Sequence, residues 1–472
     1  MRTELFIDGG WRPGGDGTTI AVEDPATAQI IAEVASATPG DAMAACDAAA
    51  AAQPDWAATA PRARAELLRA AWQSMHDHAD ELADLIVLES GKPLADARGE
   101  VEYAAEFFRW NSEEAVRIRG AWGRAPGGDK DIMVRHPPMG VVVMVTPWNF
   151  PAAMLTRKLA PALAAGNTVV AKPASATPLT SLRIAELMHD VGFPSGTVNV
   201  TPSSDAGAWF DAATSHTATR MVSFTGSTEV GRKLLEVASR RVLKCVMELG
   251  GNAPFIVLDD ADIDAAVVGA MQAKMRHSAE TCTAANRFFV QRGVLDAFTG
   301  ALAAAMSEVI VGPGQADGVG CGPLIDAGAL DRVAGLVDDA VSGGARAIIG
   351  GRRMDGPGHF YAPTVLADVQ PGDAITREEL FGPVATIIAF DDVDTMLADA
   401  NDTEMGLAGY VFGSPGRALA VAERLEAGMV GVNRGLISDP ASPFGGMKQS
   451  GLGREGSTDG IYEFCETQYL AI

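Results

Sequence analysis

The sequence predicts an α/β fold built from doubly wound units, and three observations carry that expectation. Short, continuously apolar, β-branched runs recur, as in VVVMV at 141–145, each suited to a strand buried on both faces. Helix-length stretches separate these runs, the pattern of parallel strands joined by crossover helices. The chain has 472 residues, too many for one simple core, so two or three domains are expected.

The first twenty residues read as short strands joined by glycine turns at Asp8-Gly9-Gly10 and Pro13-Gly14-Gly15. An alanine-rich helix is expected from Pro39 to Ala58. A second is expected from Pro61 to Leu88, stopping at Gly91 with Pro93 just beyond. The strand at 141–145 is followed by a helix Met154–Ala165 ending at Gly166, then a strand Thr168–Ala171. A helix Leu179–Val191, strands Thr197–Val200 and Arg220–Phe224, and a helix Ser227–Ser239 complete the first unit. After Glu248 a second unit opens with the strand Pro254–Leu258 and continues to about residue 435. A glycine-rich loop (SPFGGMKQSGLGREG) follows, and Ile461–Leu470 has strand-like patterning.

Composition bounds the function. Lys and Arg total 37 against 60 Asp and Glu, a formal net charge of −23. Such a surface repels nucleic acid phosphates and anionic membranes, so neither is expected as a partner. An anionic substrate would need a local basic pocket. The N-terminus lacks the apolar stretch of a signal peptide, and no run of about 18 apolar residues exists, so a cytoplasmic location is expected. The five cysteines (Cys46, Cys245, Cys282, Cys321 and Cys465) are odd in number and scattered, with no CxxC pair or His/Cys cluster. Neither a disulfide framework nor a metal site is expected.

Asn149, Lys172 and the Gly226-Ser227 turn all fall just past the carboxyl ends of apolar strands. In open α/β sheets that edge binds ligands. No GxGxxG pattern occurs between residues 196 and 231, so a standard dinucleotide fingerprint is absent.

The segment Lys274–Arg287, centred on Cys282, resembles the nucleophile segment of the aldehyde dehydrogenase superfamily. So do Val246-Met-Glu248-Leu-Gly-Gly251, Pro147-Trp-Asn149-Phe-Pro151, Ala171-Lys172-Pro-Ala and Phe224-Thr-Gly226-Ser227 its other motifs. Glu379-Leu-Phe381-Gly-Pro and Pro443–Glu455 complete the family order over nearly the whole chain. The resemblance implies a discontinuous cofactor domain (1–118 and 140–248), a catalytic domain (249–438) and a small β arm (119–139 and 456–472). That arm would join subunits into a homodimer or homotetramer.

The residue types suit the chemistry. An aldehyde is a poor hydride donor, whereas its tetrahedral adduct with a thiolate is a good one, and the thiol then holds the acyl group as a thioester. By resemblance Cys282 is the nucleophile, Asn149 meets the oxyanion, Glu248 activates water, and Lys158 joins the catalytic set. NADP or NAD would be bound by Thr146, Pro147, Trp148, Lys172, Ser175, Gly226, Ser227, Leu249, Glu379 and Phe381. Phosphates are expected at the Ser227 helix start, with Lys172 and Glu379 on the two riboses. Ser175 stands where NAD-preferring relatives carry a glutamate, which tilts the expectation towards NADP.

Arg157, Arg276 and Ser438 resemble the carboxylate-binding residues of succinate-semialdehyde dehydrogenases, which implies succinate semialdehyde as substrate. Glutarate semialdehyde, an uncharged aliphatic aldehyde, or a non-redox thioester hydrolase are the alternatives. The approach to the nucleophile departs from the family's Asn-x-Gly-Gln/Glu and reads His277-Ser278-Ala279-Glu280. Ala279 would be constrained if its position requires φ > 0. Ala284 stands where some relatives have a second cysteine, so no local disulfide switch is expected.

Overall fold

The computed structural model describes residues 1–472. Two hairpins open the chain, β1 (Leu5–Ile7) with β2 (Gly10–Arg12) and β3 (Thr19–Asp24) with β4 (Gln29–Ala35). Four helices follow: α1 (Pro39–Ala58), α2 (Pro61–Asp77), α3 (Ala79–Ser90) and α4 (Leu94–Glu114). The single helix expected from Pro61 to Leu88 is thus two, broken at His78, whose backbone leaves helical geometry with no Gly or Pro to signal it. The expected stop at Gly91 is present, with φ +72.

Strands β5 (Ala121–Arg124) and β6 (Asp131–Arg135) precede the alternating stretch. That stretch runs β7 (Val141–Val145), α5 (Ala153–Ala165), β8 (Thr168–Lys172), α6 (Pro178–Asp190), β9 (Val198–Val200), α7 (Ala206–Ser215), β10 (Thr219–Thr225), α8 (Thr228–Ser239) and β11 (Lys244–Glu248). Strands β7 to β11 are parallel, in the order β11-β10-β7-β8-β9. Both faces are buried: Val142 and Met144 enter one apolar cluster while Val141 and Val143 enter another. Alternate side chains of a strand point to opposite faces, so a continuous apolar run is what such a sheet requires.

The second unit contains β12 (Ala253–Val257), α9 (Ile263–Lys274), β13 (Ala285–Gln291), α10 (Leu295–Ser307), α11 (Ala327–Ser342), β14 (Arg346–Ile349) and β15 (Thr364–Ala367). It continues with α12 (Ala374–Arg377), β16 (Val384–Phe390), α13 (Val393–Asn401), β17 (Ala408–Phe412), α14 (Pro415–Ala422) and β18 (Met429–Val432). Its sheet order is β14-β15-β16-β13-β12-β17-β18, with only β14 antiparallel. Phe255 and Val257 face one cluster and Ile256 the other, so this sheet is also covered on both sides.

The glycine-rich loop contributes a two-residue strand, β19 (Gly451–Leu452), which pairs with β11 and places Gly451 opposite Glu248. The strand expected over 461–470 is shorter. Residues Gly460–Phe464 form a 3₁₀ turn whose Ile461 and Phe464 sit in the first core, and only β20 (Gln468–Ala471) is extended. It pairs with β6, which also pairs with β5, giving a small three-stranded antiparallel sheet.

Candidate active site

In the first sheet the strand order reverses at β7, which has β8 on one side and β10 on the other. Such a reversal opens a crevice at the carboxyl ends of the strands. Pro147, Trp148 and Asn149 leave β7 there, and Gly226 and Ser227 leave β10. The amino edge of the second sheet faces it, since Cys282 lies three residues before β13 and Glu379 five before β16.

Two cavities meet at Cys282. One, of about 480 Å³, is lined by Trp148, Asn149, Ser227, Leu249, Arg332 and Glu379 among others. The second, of about 250 Å³, is lined by Tyr103, Phe150, Arg157, Arg276, Ser438 and Phe444 among others. Cys282 belongs to both and is half-buried. Burial pushes its thiol up to about 12, with Arg157 opposing and Glu379 and Glu248 adding to the rise. The other four cysteines are also raised, Cys46 and Cys321 to about 12 and Cys245 and Cys465 to about 11, and none lines either cavity.

Asn149 is buried, and its Nδ2 donates to the Glu280 carbonyl at 2.9 Å while its own backbone carbonyl accepts from Lys92 Nζ at 3.0 Å. A carboxamide has two N–H groups, so one is left for a ligand. The backbone N–H of Cys282 donates to no protein acceptor. An oxygen held beside Sγ could therefore receive two donors.

Glu248 is buried at the end of β11, and both its carboxylate oxygens lack a hydrogen-bond partner. Burial raises its pKa well above the usual carboxylate range and Glu455 adds to that, while Lys158, Arg157 and Arg454 oppose it. Lys158 lines neither cavity; it bonds Glu455 Oε1 at 2.5 Å, and Arg157 lies 3.7 Å from Glu455 Oε2. Glu455, which the sequence reading did not single out, thus links Lys158 to the surroundings of Glu248. The Gly250-Gly251 pair is required by close approach. A Cβ on Gly250 would lie 2.8 Å from Glu379 Oε2, and one on Gly251 only 2.4 Å from the Cys282 carbonyl oxygen. Gly251→Ala is expected to displace Cys282 and lower kcat about 100-fold with cofactor affinity retained. Unchanged kcat would show that the Cys282 carbonyl tolerates the move.

The larger cavity suits a dinucleotide. The start of α8 faces it, with the Ser227 hydroxyl accepting from Val230 N at 3.4 Å and leaving earlier N–H groups for an anion. Glu379 is fixed by Gly251 N at 2.9 Å and raised by burial to about 7. Trp148 and Phe381 stand edge-to-face at 5.9 Å across its wall. Thr146, Lys172 and Ser175 lie outside this cavity: Thr146 N donates to the Lys172 carbonyl at 3.2 Å, and Ser175 Oγ to the Ser203 carbonyl at 3.1 Å. Burial pushes Lys172 down to about 8. Arg332 lines the cleft and carries no motif, so only the fold reveals it.

In the smaller cavity Arg157 is buried on α5, donating from Nη2 to Tyr103 Oη at 3.0 Å and lying 3.9 Å over the Phe444 ring. Its Nε and Nη1 are buried without a hydrogen-bond partner, as is the Nε of Arg276. Asp96, Glu100 and Tyr103 reach the same cavity from one face of α4. The approach to Cys282 is strained: His277, Ser278 and Ala279 have φ of +48, +53 and +66. The position of Ala279 does demand a left-handed backbone, and three such non-glycine residues cost about 1–3 kcal/mol each.

The model of the aldehyde dehydrogenase family matches residues 11–470. The chain is 53% identical to a succinate-semialdehyde dehydrogenase of Paenarthrobacter nicotinovorans over 444 residues, 94% of this chain and 99% of that one. It is 46% identical to a glutarate-semialdehyde dehydrogenase of Pseudomonas putida, covering 100% and 98% of the two chains. The crystal structure of an E. coli NADP-dependent enzyme superposes with a TM-score of 0.98 at 46% identity, covering 100% and 98%.

Proposed function

The chain belongs to the aldehyde dehydrogenase family, and from that premise we propose that it oxidises succinate semialdehyde to succinate, using NADP or NAD. One observation carries the substrate: a cavity ending on Cys282 holds two guanidiniums with buried, unpartnered N–H groups. Buried donors without partners are costly, so a carboxylate accepting from them relieves that cost. They also supply the positive pocket that a chain of net charge −23 otherwise lacks.

In this reading Cys282 gives its thiol proton to solvent, the thiolate favoured by Arg157 and Arg276, and Sγ adds to the aldehyde carbon; the oxygen that gains charge is met by Asn149 Nδ2 and the Cys282 N–H. The nicotinamide cofactor, when bound, supplies the hydride acceptor. Loss of hydride leaves the acyl group on Cys282 as a thioester, which Glu248 opens by taking a proton from water. Glu379, Phe381, Leu249 and the α8 start, which line the larger cavity, would hold the dinucleotide. Lys172 and Ser175, outside the cavity lining, would meet its adenosine end as the family resemblance implies, and a serine there would leave room for a 2′-phosphate. NADP is favoured on that ground, in keeping with the NADP-dependent relative.

The longer glutarate semialdehyde is a second reading, favoured by the Pseudomonas putida relative. Assembly as a homodimer or homotetramer through the β5–β6–β20 sheet is supported by its exposed Trp122, Tyr469 and Leu470. No helix is long and apolar enough to cross a membrane. The deciding test is steady-state kinetics on succinate semialdehyde, glutarate semialdehyde and uncharged aldehydes of matching length, each with NADP and NAD. The highest kcat/KM is expected for succinate semialdehyde with NADP. An uncharged aldehyde turned over as efficiently would remove the assigned role of the arginines.

A further inference from the structure

Most buried ionisable groups outside the reacting centre have an evident structural use. Glu89 caps α6 by accepting from Leu179 N and Thr180 N, Lys274 bonds Asn286, and Lys92 pairs with Glu100. His277 and Glu280 are different. The His277 ring is fully buried with neither nitrogen hydrogen-bonded, and Glu280 Oε2 is buried and unpartnered as well. These orphan atoms face each other, with Nε2 3.9 Å from Oε2.

The segment that carries them is anchored at each residue. His277 N donates to Asp96 Oδ2 at 2.8 Å, Ser278 Oγ to the Gly322 carbonyl at 3.1 Å, and Ile325 N to Glu280 Oε1 at 3.0 Å. Glu280 N closes back on the His277 carbonyl at 2.8 Å. The far side of the bend meets the chemistry, because the Glu280 carbonyl is the acceptor that fixes Asn149 Nδ2.

We propose that His277 and Glu280 are a positioning pair, sharing one proton across the left-handed bend and thereby holding the Glu280 carbonyl on the Asn149 amide. The proposal rests on the reading of Asn149 as the oxyanion donor. Its chemistry is matched. Burial, with Lys92 and Arg276 nearby, depresses the imidazole pKa and keeps it a neutral acceptor. Burial, with Asp326 adding and Ile325 N and Lys92 opposing, raises the Glu280 carboxyl well above the usual carboxylate range, the direction that favours its protonated form. Asp96 at the His277 backbone and the Cys321 thiol, which feels Glu280, complete the titratable surroundings. Closing the 3.9 Å gap joins O–H to Nε2 and satisfies those two atoms, leaving only Nδ1 of the ring without a partner. Because the Glu280 pKa is raised, the pair is intact below that value, and its donor is lost as pH rises through it.

The test is kinetics against pH on the full enzyme with four variants. Glu280→Ala and His277→Phe are each expected to lower kcat about tenfold; Glu280 lies outside the cavity of Arg157 and Arg276, so its variant should change the aldehyde KM by less than about twofold, whereas His277 lines that cavity and is read through kcat alone. Glu280→Gln, whose amide can donate to Nε2, is expected to restore most turnover and abolish the alkaline fall. An infrared carbonyl band of a protonated carboxyl, present in the wild type at neutral pH and missing in Glu280→Gln, reads the shared proton directly. Unchanged kcat in His277→Phe, a Glu280→Gln as impaired as Glu280→Ala, or no such band would overturn the proposal. Asn149→Ala is measured in parallel. If it keeps wild-type turnover the oxyanion reading fails, while the infrared band still reports on the pair.

Discussion

Glu248→Gln is expected to produce one rapid burst of reduced cofactor per active site, then a steady state about 10²–10⁴-fold below wild type. The argument is electrostatic. Glu248 is buried with both oxygens unpartnered, so its carboxylate form is stabilised only by the more distant charges of Lys158, Arg157 and Arg454. A carboxyl raised well above the usual range is a competent base only once pH has passed its elevated pKa. Thioester hydrolysis in the wild type should therefore rise with pH through that value, and glutamine should remove both the base and this dependence. Acylation needs Cys282 and the oxyanion donors, which the substitution leaves in place, so the burst survives. Stopped-flow absorbance of the reduced nicotinamide measures both phases. A variant with wild-type steady-state turnover, or with no burst, would take the role of base away from Glu248.

Much of this fold is legible in the sequence because its strands announce themselves. The run at 141–145 is apolar at every position and that at 168–172 at its three central ones, as a sheet covered on both faces demands. The glycine stops at Gly91 and Gly166 are also legible, since both adopt the left-handed caps their residue type allows. The break at His78 is not, because no residue type there forbids a helix. Helix α4 went unread although Ala97, Val101, Ala104 and Phe108 repeat at helical spacing. With it went Asp96, Glu100 and Tyr103, which reach the smaller cavity only through that helix. Cys282, Asn149 and Glu248 are legible as members of motifs; Cys282 lines both cavities, Asn149 the larger one, and Glu248 neither. Glu455 ends a motif, but its pairing with Lys158, like the place of Arg332 in the cleft, depends on contacts between segments far apart in the chain. The C-terminal loop reaches Glu248 through the two-residue strand β19, a contact that no local pattern encodes.

The two arginines of the aldehyde cavity should fail in distinguishable ways. Each charge-assisted bond to a carboxylate contributes about 1.5–3 kcal/mol, so losing both should cost about 10²–10⁴ in kcat/KM for succinate semialdehyde. Uncharged aldehydes of the same length should lose far less. Arg276→Met is expected to act mainly through KM, because Arg276 has no ion-pair partner in the site and is absent from the charges that steady Glu248. Arg157 does more: it bonds Tyr103, approaches Glu455 and holds the Glu248 pKa down. Removing that cation lets the pKa rise further, so Arg157→Met should raise KM and also move the acidic limb of kcat to higher pH. Both guanidiniums also favour the Cys282 thiolate, Arg157 the more strongly, so each variant should slow alkylation of Cys282 at neutral pH. Paired pH–rate profiles and iodoacetamide rates for the two variants separate these effects. Identical profiles with KM unchanged for the carboxylated aldehyde would mean that neither arginine reads the substrate, and the semialdehyde assignment would fall with them.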